Sequence, residues 1–498
     1  MTNALTDPPI HKNTKERNSE TMMFELLDTP ENHYLYDAAE NEIVPVDGED
    51  SGKLSKYIEG DRTPEIMECV ERYQRMGLCT DRAVEELENP MNELAPYYLN
   101  ERLENLILQV TQQCNLRCSY CVYSGKYINR THNSSVMPYE TACRAVDFFM
   151  ARNLLVEKPS MGFYGGEPLL QFGLIKRIVS YVKENYPGRE IQFNMTVNGT
   201  LLTEEVVDFL AENNFSLTLS IDGPKEIHDA NRRFVSGQGS FDLIMEKLKY
   251  IRETYPDYFK KIMTNTVLSP DCDYEKALTF FEEQEYIREL HPRLGLVSPS
   301  GIKDANRVAY TGKWRELQEK NRAEVLYELS GGKYNGEECR KEYKILANYK
   351  DEVKRYSKSL KSGRLYLKKN HPSGPCVAGA RRLFVTVDGD FYPCEKLPEI
   401  DELKIGNVEG GFDIEKVRNL MNIGKLTEER CKGCWAFQFC SLCAAACLTE
   451  EGISGDYREY SCEDVRRHAR DMLRDVCILM ESGYDFQEAG EDEDISGV

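Results

Sequence analysis

Residues 103–121 read LENLILQVTQQCNLRCSYC, an apolar run followed, after two glutamines, by cysteines at 114, 118 and 121. The run LENLILQVT reads as a buried strand, and the cysteine loop leaves its C-terminal end. In barrel enzymes that position is where the loops after the strands build the site. Three thiolates can hold three corners of a 4Fe-4S cluster and leave one iron open to another ligand. A structural zinc site closes with four ligands instead, and no histidine lies inside this cluster of cysteines.

Outward from this stretch, five further strand candidates follow in order: PSMGFYGG (159–166), EIQFNMTVNG (190–199), SLTLSIDG (216–223), KIMTNTVL (261–268) and RLGLVSP (293–299). Amphipathic helical patterns stand between them, among them YETACRAVDFFMARN, LIKRIVSYVKENY, TEEVVDFLAENN and FDLIMEKLKYIRETY. Strands alternating with helices predict an α/β fold with a parallel sheet over residues 100–300. Six units are fewer than a closed eight-fold barrel needs, so an open, partial (β/α)6 barrel is expected, with functional residues at the C-terminal ends of its strands.

Residues 1–21 are polar and expected to be disordered. Between 22 and 90, FELLD, HYLYD and EIVPVD are short apolar runs separated by turn formers, which predicts a small antiparallel sheet. A helix should follow from Thr63 as cap and Pro64, with Ile66, Met67, Val70, Tyr73 and Met76 on one face and a stop at Gly77. DRAVEELE (81–88) reads as a second short helix, completing a winged-helix-like module. Residues 301–375 read as a charged helical bridge, 376–465 as a cysteine-rich domain held together by metal, and 466–498 as a helix and an acidic tail.

Composition narrows the function. Lys+Arg 63 against Asp+Glu 84 gives a net charge of −21, which argues against nucleic acid or an anionic membrane as partner. No apolar stretch approaches the roughly 18 residues of a membrane span. The polar start carries no signal peptide, so a cytoplasmic protein is expected. Seventeen cysteines in a reducing compartment point to metal rather than disulfides, and none of the seven histidines falls in a cysteine cluster.

The C-x3-C-x2-C spacing, with Tyr120 before the last cysteine, resembles the radical S-adenosylmethionine (SAM) enzymes. The resemblance implies that Cys114, Cys118 and Cys121 hold a 4Fe-4S cluster whose free iron is chelated by SAM, the source of a 5'-deoxyadenosyl radical. FYGGEP, with Gly165, Gly166 and Glu167, is similar to the motif that receives the SAM amino group, where glycines allow close backbone approach. Asn198 in TVNG, with Ser220 and Asp222 in SIDG, resembles positions near the ribose and methionine parts. Arg232 resembles the arginine that pairs with the SAM carboxylate, and Tyr120 lies where the backbone meets adenine.

Cys376, then Cys394 in VDGDFYPC, then CKGCWAFQFCSLCAAAC (431–447) and Cys462 resemble the SPASM domain, which carries two auxiliary 4Fe-4S clusters. By this resemblance Cys431, Cys434, Cys440 and Cys462 hold the distal cluster, while Cys376 and Cys394 hold the proximal one, completed by Cys443, Cys447 or both. Three 4Fe-4S clusters are thus implied in all. Trp435 and Phe437 are expected to pack around a cluster. Cys69, Cys79, Cys143, Cys272, Cys339 and Cys477 are scattered and read mostly as small buried hydrophobes.

The unit at 22–90 resembles the RiPP recognition element, which captures the leader of a ribosomally made precursor peptide by adding it as a strand, here beside EIVPVD and the helix at 64–77. Together the resemblances imply a radical SAM peptide maturase that installs Cys thioether cross-links, as sactipeptide and ranthipeptide synthases do. They imply an electron donor such as flavodoxin or ferredoxin as a second partner. No residue is assigned as catalytic base. Carbon–carbon or carbon–oxygen cross-linking is the nearest alternative, the leader-binding module speaks against sulfatase maturation, and a non-catalytic zinc or iron-sulfur scaffold is the alternative from another class.

Overall fold

The computed structural model describes residues 23–80, 84–304, 308, 312–331, 348–361, 368–372 and 376–486. The expected disorder of 1–21, most of the acidic tail, part of the bridge and Cys339 lie outside the described residues.

At the N-terminal end β1 (Phe24–Asp28), β2 (His33–Asp37) and β3 (Glu42–Val46) form an antiparallel sheet in that order. Side chains alternate between its faces. Phe24, Leu35 and Val46 pack on Leu54 of α1 (Gly48–Ile58) and on Cys69, Val70 and Tyr73 of α2 (Pro64–Arg75). Leu27 and Tyr36 face the other way, into a cluster with Trp435, Met472, Leu473 and Val476. Helix α2 starts after Thr63 as expected. Helix α1 was not expected: its sequence GEDSGKLSKYI carries two glycines and only Leu54 as a buried apolar side chain, so no periodic stripe reveals it. Asp47 caps it by accepting from the Asp50 N–H at 2.9 Å.

The helix expected over DRAVEELE is corrected in its described part. Glu86–Leu87 form a short strand, β4, because Lys368 O and Asn370 O take the N–H groups of Glu85 and Glu88 at 2.9 and 3.0 Å. Val84 and Leu87 bury against Cys431 and Phe437. The spacing of three between Val84 and Leu87 fits a helix, and here the tertiary contact overrides it, with Val84 just outside the strand.

After α3 (Ala95–Glu101), the barrel strands are β5 (Asn105–Thr111), β6 (Ser160–Gly165), β7 (Gln192–Val197), β8 (Ser216–Ser220), β9 (Met263–Leu268) and β10 (His291–Leu296). They correspond to the six expected strands, all parallel and neighbouring in chain order. The covering helices are α4 (Tyr139–Met150), α5 (Phe172–Asn185), α6 (Glu204–Glu212), α7 (Lys225–Asn231), α8 (Phe241–Thr254), α9 (Pro256–Phe259) and α10 (Tyr274–Glu283). Leu106, Leu108 and Val110 of β5 point into the main core with Phe149 and Phe163. Gln109, between them, points to the opposite side and is fully buried.

Helices α11 (Gly312–Leu329) and α12 (Asn348–Lys361) form the described part of the bridge, followed by β11 (Lys369–Asn370), the partner of β4. The cysteine-rich region then joins the barrel sheet rather than standing apart. Strand β12 (Leu383–Val385) pairs parallel with β5, and β13 (Asp390–Tyr392), β14 (Gly406–Asn407) and β15 (Gly411–Phe412) continue antiparallel, which makes a ten-stranded sheet. Strands of two or three residues carry no period that a sequence could display. After α13 (Ile414–Met421), α14 (Glu428–Lys432) and the hairpin β16 (Leu448–Thr449) and β17 (Gly452–Ile453), the 27-residue α15 (Gly455–Glu481) runs back to the N-terminal sheet. There Glu481 accepts from Thr29, Asn32 and Tyr34 at 2.8–2.9 Å, and Arg470 donates to Glu25 at 3.0 Å. Among the described residues no helix is long and apolar enough to cross a membrane.

Candidate functional site

The loop leaving β5 carries Cys114, Cys118 and Cys121, each partly buried. Backbone N–H groups of Leu116 and Tyr123 donate to the sulfurs of Cys114 and Cys121 at 3.3 and 3.4 Å. Burial pushes the Cys114 thiol up to about 12 and the Cys118 thiol to about 11. A bare loop therefore holds neutral thiols, and a metal that binds here must displace their protons.

Gly165 and Gly166 end β6 against this loop. A Cβ on Gly165 would lie 2.0 Å from Thr111 O, and one on Gly166 2.2 Å from Gln113 O. Gly165 also has φ +148°, strained for any other residue. The glycines thus let β6 press on the start of the cysteine loop. Their N–H neighbours close the contact: Gly166 donates to Thr111 O at 3.0 Å and Glu167 to Gln113 O at 2.9 Å. The Glu167 carboxylate accepts from the Leu169 and Asn198 backbone N–H groups at 3.1 and 2.8 Å. Burial raises its pKa to about 7 against those two donors and the Arg232 charge.

Asn198, at the end of β7, donates to Asn115 Oδ1 at 2.8 Å, and Asn115 donates to Thr200 Oγ1 at 2.8 Å. This ties the third strand end to the residue after Cys114. Ser220 closes β8 and is nearly buried. Asp222, two residues on and fully buried, accepts from the Tyr120 hydroxyl, from Arg232 Nε at 2.9 Å and from the Val267 N–H at 3.0 Å. The Arg232 guanidinium lies over the Tyr120 ring, 5.4 Å from its centroid. The structure thus brings Tyr120, Asp222 and Arg232 together in one buried cluster beside Cys118.

Three features were not legible beforehand. His228 is fully buried and held neutral, its pKa lowered to about 4 by burial. Its Nδ1 accepts from the Asp222 N–H at 3.4 Å, which leaves Nε2 to donate to Ser240 Oγ at 3.0 Å, and Ser240 in turn donates to Arg232 O. Arg130 links the cysteine loop to the cysteine-rich region by donating to Glu399 Oε1 at 3.2 Å, Glu395 O at 2.9 Å and Leu397 O at 2.7 Å. Gln109 donates to the same Glu399 oxygen at 2.8 Å. Cys272, expected as a buried hydrophobe, instead lines a cavity of about 510 Å³ with Ser119, Tyr120, Lys126, Tyr127 and Asn231. Cys69, Cys79 and Cys477 are buried, and Cys143 is partly so.

In the cysteine-rich region, Cys431, Cys434, Cys440 and Cys462 line one small cavity of about 40 Å³. Phe437 lines it too, whereas Trp435 packs edge-on against Tyr36 at 6.3 Å. Cys376 and Cys394 each lie within electrostatic reach of Cys443. Cys447 is fully buried, and its thiol donates to Cys443 O at 3.7 Å. Among the described residues no three His, Cys, Asp or Glu side chains converge as a single ion would require. Thiols surrounding a cavity, as sole donors, have the chemistry of cluster ligands.

The family model of the radical SAM superfamily matches residues 108–283, from β5 into α10. An uncharacterized protein of Methanocaldococcus jannaschii, MJ0907, is 30% identical over 341 residues, covering 68% of this chain and 96% of that one. A cysteine-type anaerobic sulfatase-maturating enzyme of Clostridium perfringens is 27% identical over 390 residues, covering 73% of this chain and 94% of the relative. The solved structure of native anSMEcpe with bound AdoMet shares the fold at a TM-score of 0.55 and 22% identity, over 76% of this chain and 99% of that one. With the cysteine loop at the end of the first of six parallel strands, these similarities mean that the chain belongs to the radical SAM superfamily and is a radical SAM enzyme.

Proposed function

We propose that this enzyme matures a ribosomally made peptide by joining a cysteine sulfur to a carbon of another residue as a thioether. In this reading Cys114, Cys118 and Cys121 hold a 4Fe-4S cluster, and the strand ends around them receive SAM. When bound, the pair would supply a 5'-deoxyadenosyl radical, the reagent for removing one hydrogen atom from an unactivated carbon; closing the C–S bond would also release the thiol proton to solvent and one electron, for which an auxiliary cluster would be the acceptor. The observation that carries the reading is the three-thiol loop beside the cavity of about 510 Å³, large enough for a peptide side chain with its neighbours.

The chain's own part is binding and orientation. Arg232 spends Nε on Asp222, and among the described residues its other two nitrogens have no protein acceptor, so they can serve a carboxylate of SAM. Tyr120, Tyr127 and Val297 give the cavity apolar walls that exclude water from a reactive carbon. For the auxiliary sites, the shared cavity supports Cys431, Cys434, Cys440 and Cys462 as one ligand set. The closeness of Cys443 to Cys376 and Cys394 supports these three as the other, a set with one position open to a substrate sulfur.

Anaerobic reconstitution followed by iron, sulfide and nucleoside analysis tests the reading. About twelve irons per chain, with 5'-deoxyadenosine after reduction with SAM, are expected. Zinc in place of iron, with no nucleoside, would turn the protein into a binding scaffold. An external one-electron donor of flavodoxin or ferredoxin type belongs to the same proposal.

The leader of the precursor is proposed to add to β3, which pairs only with β2 among the described residues. Pro45 fits that edge, since its missing N–H would otherwise break the ladder. Ile43, two residues away, therefore points its N–H outward. Ile43→Pro is expected to weaken leader binding about tenfold, ~1.4 kcal/mol, with SAM cleavage in the absence of peptide unchanged. Fluorescence anisotropy with a labelled leader peptide checks this, and wild-type affinity in the variant would remove the edge as the docking site.

The similarity to cysteine-type anaerobic sulfatase-maturating enzymes favours a second reading, maturation of a cysteine in a protein substrate. Mass spectrometry separates the two, because a cross-linked precursor resists thiol alkylation while remaining one chain with its sulfur retained.

A further inference from the structure

The cavity lined by Cys431, Cys434, Cys440 and Cys462 is also lined by Arg458 and Arg466. Helix α15 supplies Arg458, Cys462 and Arg466 at intervals of four residues, so a cysteine and two arginines share one face of it. Arg458 is the largest of the fully buried side chains, with 0% exposure. Its Nε donates to Thr427 Oγ1 at 3.2 Å and its Nη1 to Leu442 O at 3.1 Å, both neutral acceptors.

Among the described residues no carboxylate lies within ion-pair distance of Arg458. The other buried arginines differ: Arg322 pairs with Asp475 at 2.5 Å, Arg232 with Asp222 at 2.9 Å and Arg130 with Glu399 at 3.2 Å. A guanidinium does not give up its proton, so it cannot escape burial by becoming neutral. A buried charge without a counter-charge is strongly unfavourable. Four thiols, those of Cys431, Cys440, Cys447 and Cys462, act electrostatically on Arg458, and Cys431, Cys434, Cys440 and Cys462 line its cavity. Thiolates bound to iron would supply the negative charge that the protein otherwise withholds.

We propose that Arg458, backed by Arg466, is the counter-charge of the 4Fe-4S cluster held by Cys431, Cys434, Cys440 and Cys462, and makes that cluster easier to reduce by one electron. The proposal rests on the reading of these cysteines as ligands. Accepting an electron adds one negative charge to the cluster and its thiolates, and a fixed cation in a low-dielectric interior stabilises the reduced form more than the oxidised one. Arg458 acts on the cluster's charge and touches no substrate. Arg466, partly exposed and paired with Glu463 at 3.1 Å, is screened and contributes less.

Redox titration of the reconstituted full-length protein, followed by electron paramagnetic resonance and accompanied by iron analysis, tests this. In Arg458→Met the midpoint of one auxiliary cluster should move to more negative potential, with the radical cluster and the other auxiliary cluster unmoved. Arg458→Lys, which keeps the charge, should stay near wild type, and Arg466→Gln should show a smaller shift of the same sign. A fully iron-loaded Arg458→Met protein with the wild-type midpoint overturns the proposal. Should Arg458→Met fail to load iron, Arg466→Gln decides, and an unshifted midpoint there overturns it. A wild-type protein that lacks this cluster's signal overturns the ligand reading itself, and the proposal with it.

Discussion

Replacing Cys114, Cys118 and Cys121 together by alanine is expected to abolish 5'-deoxyadenosine formation and to lower bound iron from about twelve to about eight atoms per chain. The loop has no other thiol, and its backbone donors at Leu116 and Tyr123 are spent on the sulfurs being removed. The fold should survive, because the glycine contacts that seat the loop run through backbone atoms of Thr111 and Gln113. The cysteines proposed to hold the two auxiliary clusters lie outside the barrel loop and should keep their iron. Iron analysis with chromatography of the nucleoside reads both quantities in one preparation. Persistent SAM cleavage in the triple variant would refute the assignment of the loop, whatever the total iron.

Asp222→Ala should be the most damaging single substitution in the site, costing about 3–5 kcal/mol of stability and most of the affinity for SAM. Asp222 is fully buried and accepts from three donors, the Tyr120 hydroxyl, Arg232 Nε and the Val267 N–H. Alanine leaves the Arg232 guanidinium buried without its partner, which is the costly outcome, and frees Tyr120 to move from beside Cys118. Asp222→Asn keeps the shape and one acceptor oxygen, so its cost should be smaller. Thermal unfolding gives the stability term and calorimetric titration of SAM the affinity. A loss below about 1 kcal/mol for Asp222→Ala would mean that Arg232 finds another partner and that the cluster does not organise the site.

How legible the molecule was depends on where its interactions run. Strands β5 and β6 are buried almost throughout and appear as near-continuous apolar runs such as LILQV, β7, β8 and β9 alternate buried with less buried residues, and the helices between them show their own period. The cysteine loop and GGE stretch are equally local, since spacing along the chain sets which groups meet. Helix α1 and strands β12 to β15 escaped because glycines or short length leave no period to read. DRAVEELE misled because Val84 and Leu87 stand at helical spacing, while the conformation was set by backbone acceptors at Lys368 and Asn370, nearly three hundred residues away.

Sequence alone was enough to determine that this chain is a partial barrel with a three-thiol loop at the end of its first strand. Both features follow from hydrophobic period and local spacing, which survive in one dimension. Only the tertiary structure decided what surrounds them: that β12 joins β5, that Arg130 and Gln109 meet Glu399, that Asp222 gathers Tyr120 and Arg232, and that α15 sets Arg458 among four thiols. These are pairings of single polar groups across long loops. A lone arginine or glutamine in a sequence carries no mark of whether it will be buried, and only the folded chain shows which charges water has been excluded from.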